Sequence, residues 1–267
     1  MATVNSAAAE GLQDARRAYF GTTVNPRSFA QWLADISRVV ENGQRRWLSG
    51  HHNLHSLYLL QRSHDVKRFY ERCDDCYVDG TPVRLLLKFF GVTATPVQRF
   101  SLMDHFLELL AYAEHRHWSI FYLGSRDSVV VAGRELIATR FPQLRIQIQH
   151  GYSPDSAELL RAINAFRPDV LLVGMGMPLQ EQWILQHLDQ LEVGFVTQAG
   201  ATLDYYTGAQ ARPPLWLSRM GFAWAYRLAH DPARLWRRYL VEPWGLLPAT
   251  FHQWRRFRRL RRTVSGQ

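Results

Sequence analysis

A chain of 267 residues, 47% hydrophobic and 21% charged, is long enough for one large domain with an appendage and has the composition of a folded protein, not a disordered one. No stretch reaches the roughly 18 consecutive apolar residues that span a bilayer, and the opening residues lack the basic start and apolar run of a secretory signal. The net charge of +9 is concentrated: residues 213–267 hold eleven arginines against Asp231 and Glu242, which leaves the preceding 212 residues electroneutral.

In chain order, residues 1–20 read as a loose, Ala-rich tail. Pro26–Asn42 carries helical periodicity and Arg46–Ser49 reads as a strand. His51-His52-Asn53 follows, suited either to helix capping or to hydrogen bonding a ligand's hydroxyls. A helix is expected over Leu54–Arg72. Cys73 and Cys76 come next in C-x-x-C spacing. Zinc would need a second ligand pair, and the acidic Asp74-Asp75 between them would raise the thiol pKa values, so two half-buried thiols are the plainer reading.

A second strand, Cys76–Asp79, ends on Asp79, just before Gly80. Such a residue is a turn or helix cap, or else a general base that accepts the proton of an attacking hydroxyl. Helices are expected over Thr81–Phe90 and Leu102–His115, with Arg99 and Asp104 at the junction before the latter. The pattern then alternates: strand Trp118–Gly124, helix Asp127–Phe141, strand Leu144–Gln149, helix Pro154–Phe166, strand Asp169–Gly174, helix Leu179–Leu188, strand Val193–Thr197. Gly124, Gly174 and Gly176 sit in loops after strands, where a tight turn or close backbone approach to a phosphate explains them equally. Gln180 and Glu181 open the next helix, a common capping pair. The dinucleotide fingerprint and the Walker motif are both missing.

This alternation predicts an α/β fold, a Rossmann-like, mostly parallel sheet over residues 21–212, with ligands outside the carboxyl ends of its strands. Residues 213–267 read as a helical, basic appendage that also holds five of the nine tryptophans. Tryptophan at headgroup level and arginine on phosphate suit an anionic membrane surface. In Phe251–Arg262, taken as a helix, Phe251, Trp254, Phe257 and Leu260 sweep about half the circumference. Arg227, Arg234 and Arg237 fall at i, i+7 and i+10, one face of a helix unless Pro232 breaks it.

Seven short motifs in order resemble the WecG/TagA/CpsF glycosyltransferases. Tyr77-Val78-Asp79-Gly80 resembles the family's aspartate-glycine motif. Arg99 with Asp104 is similar to the arginine–aspartate motif that follows. Tyr122-Leu123-Gly124 resembles the central strand, His150-Gly151-Tyr152 a later turn, and Gly174-Met175-Gly176-Met177-Pro178-Leu179-Gln180-Glu181 the glycine-rich loop. Gly200 to Asp204, Gly208 and Arg212-Pro213-Pro214, then Trp224-Ala225-Tyr226-Arg227-Leu228 with Arg234 and Arg237-Arg238-Tyr239, resemble the C-terminal motifs.

The resemblance implies an inverting transferase without metal or cofactor. Its donor is a UDP-sugar (UDP-N-acetylmannosamine, its uronic acid or UDP-glucose), and its acceptor an undecaprenyl-diphosphate-linked saccharide in cell-surface or exopolysaccharide synthesis. Asp79 is the implied base. Arg227, Arg234 and Arg237 are implied to complete the active site, and His51, Asn53, Arg99, Asp104, Gly124, Gly174, Gly176, Gln180 and Glu181 to bind substrate. The residues agree independently on one point: the chain has no Asp-x-Asp, so arginines and backbone amides are left to meet a diphosphate. The expected location is peripheral, on the cytoplasmic face of the inner membrane, with a homo-oligomer left open. Two other classes fit parts of the pattern. A nicotinamide oxidoreductase suits the sheet but lacks the fingerprint. A nucleic-acid-binding protein suits the C-terminal arginines, but the electroneutral body offers no nucleic-acid motif, so no nucleic-acid partner is expected.

Overall fold

The computed structural model describes residues 18–19, 22–90, 92, 94–152 and 155–265, with the backbone alone at 18–19 and 23 and along 256–257 and 259–265. A short antiparallel pair, β1 (Ala18–Tyr19) and β2 (Thr22–Thr23), precedes the body. Ala18–Tyr19 therefore has ladder structure where a loose tail was expected, and the rest of that tail up to residue 17 lies outside the described residues.

Six strands form the sheet: β3 (Trp47–His52), β4 (Asp75–Val78), β5 (Ser119–Gly124), β6 (Arg145–Gln149), β7 (Val170–Gly174) and β8 (Phe195–Gln198). Their order is β4-β3-β8-β7-β5-β6 and every pairing is parallel. The all-buried runs of β5, β7 and β8 follow from helices covering both faces. Because side chains alternate along a strand, each strand splits between two cores. Ile120, Tyr122, Val170, Leu172 and Phe195 join one core with Trp32, Phe106 and Ile137. Those three partners come from α1 (Phe29–Glu41), α5 (Leu102–His115) and α6 (Asp127–Arg140), so these helices cover that face.

Phe121, Leu123, Leu171, Val173 and Val196 join Phe69, Ile163 and Ile184 on the other face. Each such burial contributes about 1.5–3 kcal/mol. Phe69, Ile163 and Ile184 belong to α3 (His64–Arg72), α7 (Ser156–Phe166) and α8 (Leu179–His187).

All six expected strands are present. The helix expected over Leu54–Arg72 is two, α2 (Leu54–Leu60) and α3, because Ser63 caps the second by accepting from the Val66 amide at 3.3 Å. Two further helices, α4 (Thr81–Phe89) and α9 (Thr202–Tyr206), follow β4 and β8. The C-terminal segment is helical as expected: α10 (Leu215–Arg219), α11 (Ala223–His230), α12 (Pro232–Trp236), a π turn over Arg237–Val241, α13 (Glu242–Gly245) and α14 (Leu247–Ser265). Leu246 and Trp254 pack it against Leu57, Val83 and Leu87 in a third core. Among the described residues no helix is long and apolar enough to cross a membrane.

Candidate functional site

The carboxyl ends of β4, β3, β8 and β7 lie side by side, and the chain order reverses between β3 and β8. A crevice opens there, where parallel α/β sheets hold ligands. Its main chamber is about 510 Å³, floored by those strand ends and roofed by α11, α12 and the π turn. A second chamber of about 220 Å³ lies between α4 and the segment 218–243. Asp79, Asn53, Arg227 and Arg238 line both, so the chambers meet at Asp79.

Asp79 leaves β4 with its amide donating to the His52 carbonyl at 2.9 Å, and its side chain stays 24% exposed. Gly80 behind it has φ 106°, a conformation that suits glycine, and turns the chain into α4. His51 lines the main chamber. Its amide donates to Gln198 Oε1 at 2.8 Å and its carbonyl accepts from Tyr70 Oη at 2.8 Å, so the β3 end is held from two sides. Burial, reinforced by Arg238 and opposed by Asp79, pushes its pKa down. Next to it His52 is fully buried and held down to about 3, chiefly by desolvation. Asn53 caps α2, accepting from the Ser56 amide at 3.0 Å, and still lines the crevice.

Arg99 and Asp104 line the second chamber. Burial and then the Asp79 charge push the Asp104 carboxyl up, with Arg99 pulling it back. Gly176, φ 78°, and Gln180 line the main chamber. Gln180 Oε1 accepts from the Gly200 amide at 3.1 Å, which ties the first turn of α8 to the loop after β8. Glu181, expected at the ligand, lies beneath this floor at 1% exposure. Its Oε1 accepts from the side-chain amides of Gln180 and Gln198, and burial drives its pKa up to about 7. Gly124 and Gly174 face each other across β5 and β7 and line neither chamber. A Cβ on Gly124 would collide with the Gly174 carbonyl, and one on Gly174 with the Tyr122 hydroxyl. Packing accounts for both.

The break at Asp231 and Pro232 does not scatter the three arginines: Arg227, Arg234 and Arg237 all line the main chamber. Arg234 is paired with Asp231 at 2.5 Å and bonds Gln210 at 2.9 Å. Arg227 lies over the Tyr205 ring at 4.9 Å and donates to Met103 Sδ at 3.1 Å. Among the described residues Arg227, Arg237 and Arg238 have no carboxylate within 4.0 Å. Buried polar atoms without a partner gather here: His51 Nδ1, Asp104 Oδ1 and Arg227 Nε. Unmet hydrogen-bonding capacity around one cavity is a mark of a ligand site.

Sequence reasoning missed Arg238, His55, Glu242 and Gln198. Arg238 was masked by helical geometry, in which neighbours point about 100° apart; the π turn brings Arg237, Arg238 and Tyr239 all to the crevice. His55 and Glu242 lie 187 residues apart, and no local pattern links them. Cys73 and Cys76 are free thiols, Cys73 pushed up mainly by burial. Both pack beneath Gly50, where an added Cβ would meet their sulfurs. Among the described residues no three His, Cys, Asp or Glu side chains group as metal ligands.

Part of this sequence is similar to known proteins. Over 137 residues the chain is 34% identical to a Staphylococcus aureus (strain MW2) protein named N-acetylglucosaminyldiphosphoundecaprenol N-acetyl-beta-D-mannosaminyltransferase, covering 51% of this chain and 53% of the relative. The protein of that name from strain MRSA252 is 33% identical over the same length. The chain thus spans about half the length of the curated relatives it matches. Residues 17–260 match the Glycosyl transferase WecG/TagA/CpsF family, and with nearly the whole chain inside that match, including every crevice residue described above, the protein belongs to this family.

Proposed function

We propose that this chain is an inverting, metal-independent glycosyltransferase that moves a hexose from a UDP-sugar to an undecaprenyl-diphosphate-linked saccharide, in the assembly of a cell-surface polysaccharide or exopolysaccharide. One observation carries the reading: two chambers meet at Asp79, and Arg227, Arg237 and Arg238, without a carboxylate partner among the described residues, line the crevice with it. A transfer between two substrates needs such a junction. The main chamber, with the Gly176 and Gly200 loops below and the arginines above, suits the donor diphosphate. The second, walled by Leu54, Pro82, Met103 and Trp224 with Arg99 at hand, suits the acceptor.

In the reaction the acceptor hydroxyl gives its proton to Asp79 as its oxygen bonds the anomeric carbon. The bond from that carbon to the diphosphate breaks on the opposite face, which inverts the configuration. The electron pair leaves with UDP, and Arg227, Arg237 and Arg238 meet the charge on the leaving group. Asp79 then returns its proton to water. The name shared by the Staphylococcus aureus relatives makes UDP-N-acetylmannosamine the first donor to try, before its uronic acid and UDP-glucose.

The protein works peripherally on the cytoplasmic face of the inner membrane, where a polyprenyl acceptor is anchored. The eleven C-terminal arginines and the exposed Trp216, Trp244 and Phe251 support this. The test incubates the protein with a synthetic lipid-diphosphate saccharide and a panel of UDP-sugars, in EDTA and in magnesium. The anomeric configuration of the product is then read by NMR. UDP release and an inverted product in EDTA are expected. No transfer from any donor would end the reading. Retained configuration would remove inversion, and loss in EDTA restored by magnesium would remove metal independence.

A further inference from the structure

The arginines over the crevice come from a weakly rooted segment. No residue of α11, the π turn or α13 is buried, and α12 buries only Leu235. Guanidiniums must nonetheless be held within a fraction of an ångström to act on a developing charge. The body therefore needs a fixed point against which the segment is set.

His55 and Glu242 supply one. His55 stands in the first turn of α2, which starts from the Asn53 cap at the end of β3, so its position follows from the sheet. Glu242 is the first residue after the π turn that carries Arg237 and Arg238. His55 Nδ1 lies 2.5 Å from Glu242 Oε2, with the side chains only 16% and 15% exposed. One turn further along, Gly245 comes so close to the Tyr58 ring that an added Cβ would lie 3.0 Å from it, and Arg62 covers that ring at 4.0 Å. The α2 surface is the seat of α13.

The pair has an electrostatic side as well. Among the described residues, Asp79 and Glu242 are the two carboxylates lining the main chamber, together with Arg227, Arg234, Arg237 and Arg238. A free carboxylate there would engage an arginine and repel an anion. Bound to His55, the Glu242 carboxylate is turned toward α2 and held from engaging an arginine.

We propose that His55 and Glu242 are positioning residues: their pair seats the arginine-bearing segment over Asp79 and keeps the Glu242 carboxylate off the arginines that receive a nucleoside diphosphate. The anion part rests on the donor reading above; the seating part does not.

The experiment uses the full chain with His55→Ala, Glu242→Ala, the double variant and Glu242→Gln, which keeps an acceptor for His55. Backbone hydrogen exchange over residues 232–246 is followed without ligand, and UDP binding by calorimetry. Both alanine variants are expected to raise exchange about tenfold or more, and the double variant to be no worse than either single. Glu242→Gln stays nearer the wild type. UDP affinity falls further in His55→Ala, where the carboxylate is loose, than in Glu242→Ala. Unchanged exchange in both single variants, or additive effects in the double, would overturn the seating role. Tighter UDP binding by His55→Ala would overturn the electrostatic role. If the wild type binds no UDP, the donor reading fails, and the exchange data still decide whether the pair is a seat.

Discussion

His51 Nε2 lies 3.9 Å from Asp79 Oδ2 at the open ends of two paired strands. That gap exceeds a hydrogen bond, and burial together with Arg238 favours the neutral imidazole. Asp79 is therefore not locked into an ion pair with His51, and its carboxylate is left to accept a proton. Asp79→Asn keeps the shape and removes the basicity. It is expected to bind UDP as the wild type does and to lose on the order of 100-fold or more in turnover. A rate close to wild type in steady-state assays would remove Asp79 as the base.

Much of this was legible in the sequence because the relevant signals are local. β5 and β7 are short apolar runs, β6 alternates polar and apolar residues as RIQIQ, and turn residues bound them, so all six strands were recoverable. Asp79 was findable because it stands at a strand end before Gly80. What failed was what depends on distant partners. Nothing near Glu181 says that its carboxylate turns under the floor to Gln198. Nothing near Gly124 says that its neighbour across the sheet is Gly174. The break after Leu60 was obscured because Leu54–Arg72 keeps an apolar periodicity through it, and the cap on Ser63 decides the matter.

Glu181 makes stability depend on pH. Its folded pKa is raised from 4.5 to about 7 by burial. The folded state therefore holds the proton more tightly than the unfolded chain. The group's contribution is most favourable below the unfolded value and is lost as pH rises through about 7. The loss amounts to about 3 kcal/mol. Glu181→Gln removes this titration and keeps an oxygen for the two glutamine amides. Urea denaturation at pH 5 and pH 8 is expected to show the variant gaining on the wild type by a few kcal/mol between the two. An equal difference at both pH values would mean that Glu181 does not titrate in this window.

The glycines of the two loops should separate. Gly124→Ala drives a methyl group into the Gly174 carbonyl and is expected to cost about 3 kcal/mol or more. At Gly176 the space is open but φ is 78°, so alanine costs about 1–2 kcal/mol of backbone strain. Thermal unfolding ranks the two variants, with Gly176→Ala folded and Gly124→Ala well below it. The reverse order would place the close approach elsewhere.

The crevice arginines differ in how committed they are. Arg234 is about half exposed and already holds Asp231 and Gln210, whereas Arg227 is half-buried beside Tyr205 and has no carboxylate partner among the described residues. With a water-soluble acceptor, which removes the need for a membrane, Arg227→Ala and Arg237→Ala are expected to lower kcat/KM by about 100-fold. The expected loss for Arg234→Ala is nearer tenfold. Full activity of Arg237→Ala in that assay would leave it a membrane contact only.

Membrane docking is expected to depend on the last helix. Arg255, Arg256, Arg258, Arg259, Arg261 and Arg262 lie along α14, and each basic residue near an anionic surface contributes about 1 kcal/mol. Phe251 is exposed at the start of this run, while Trp254 turns inward to the third core. The rest of the amphipathic reading, Phe257 and Leu260 included, falls on side chains outside the described residues. Leu246 stays in place when the chain is cut before Phe251, so the arginine-bearing segment keeps its main apolar anchor. The truncated protein is expected to lose flotation with anionic vesicles and to slow on a lipid acceptor. It should remain active on a water-soluble one. Wild-type flotation should weaken as salt rises, because the attraction is screened over a Debye length of about 8 Å at physiological ionic strength. Flotation of the truncated protein at full yield in moderate salt would move the anchor to the exposed Trp216, Met220 and Trp244 of the preceding segment. Substituting those three residues would then be the measurement that finds it.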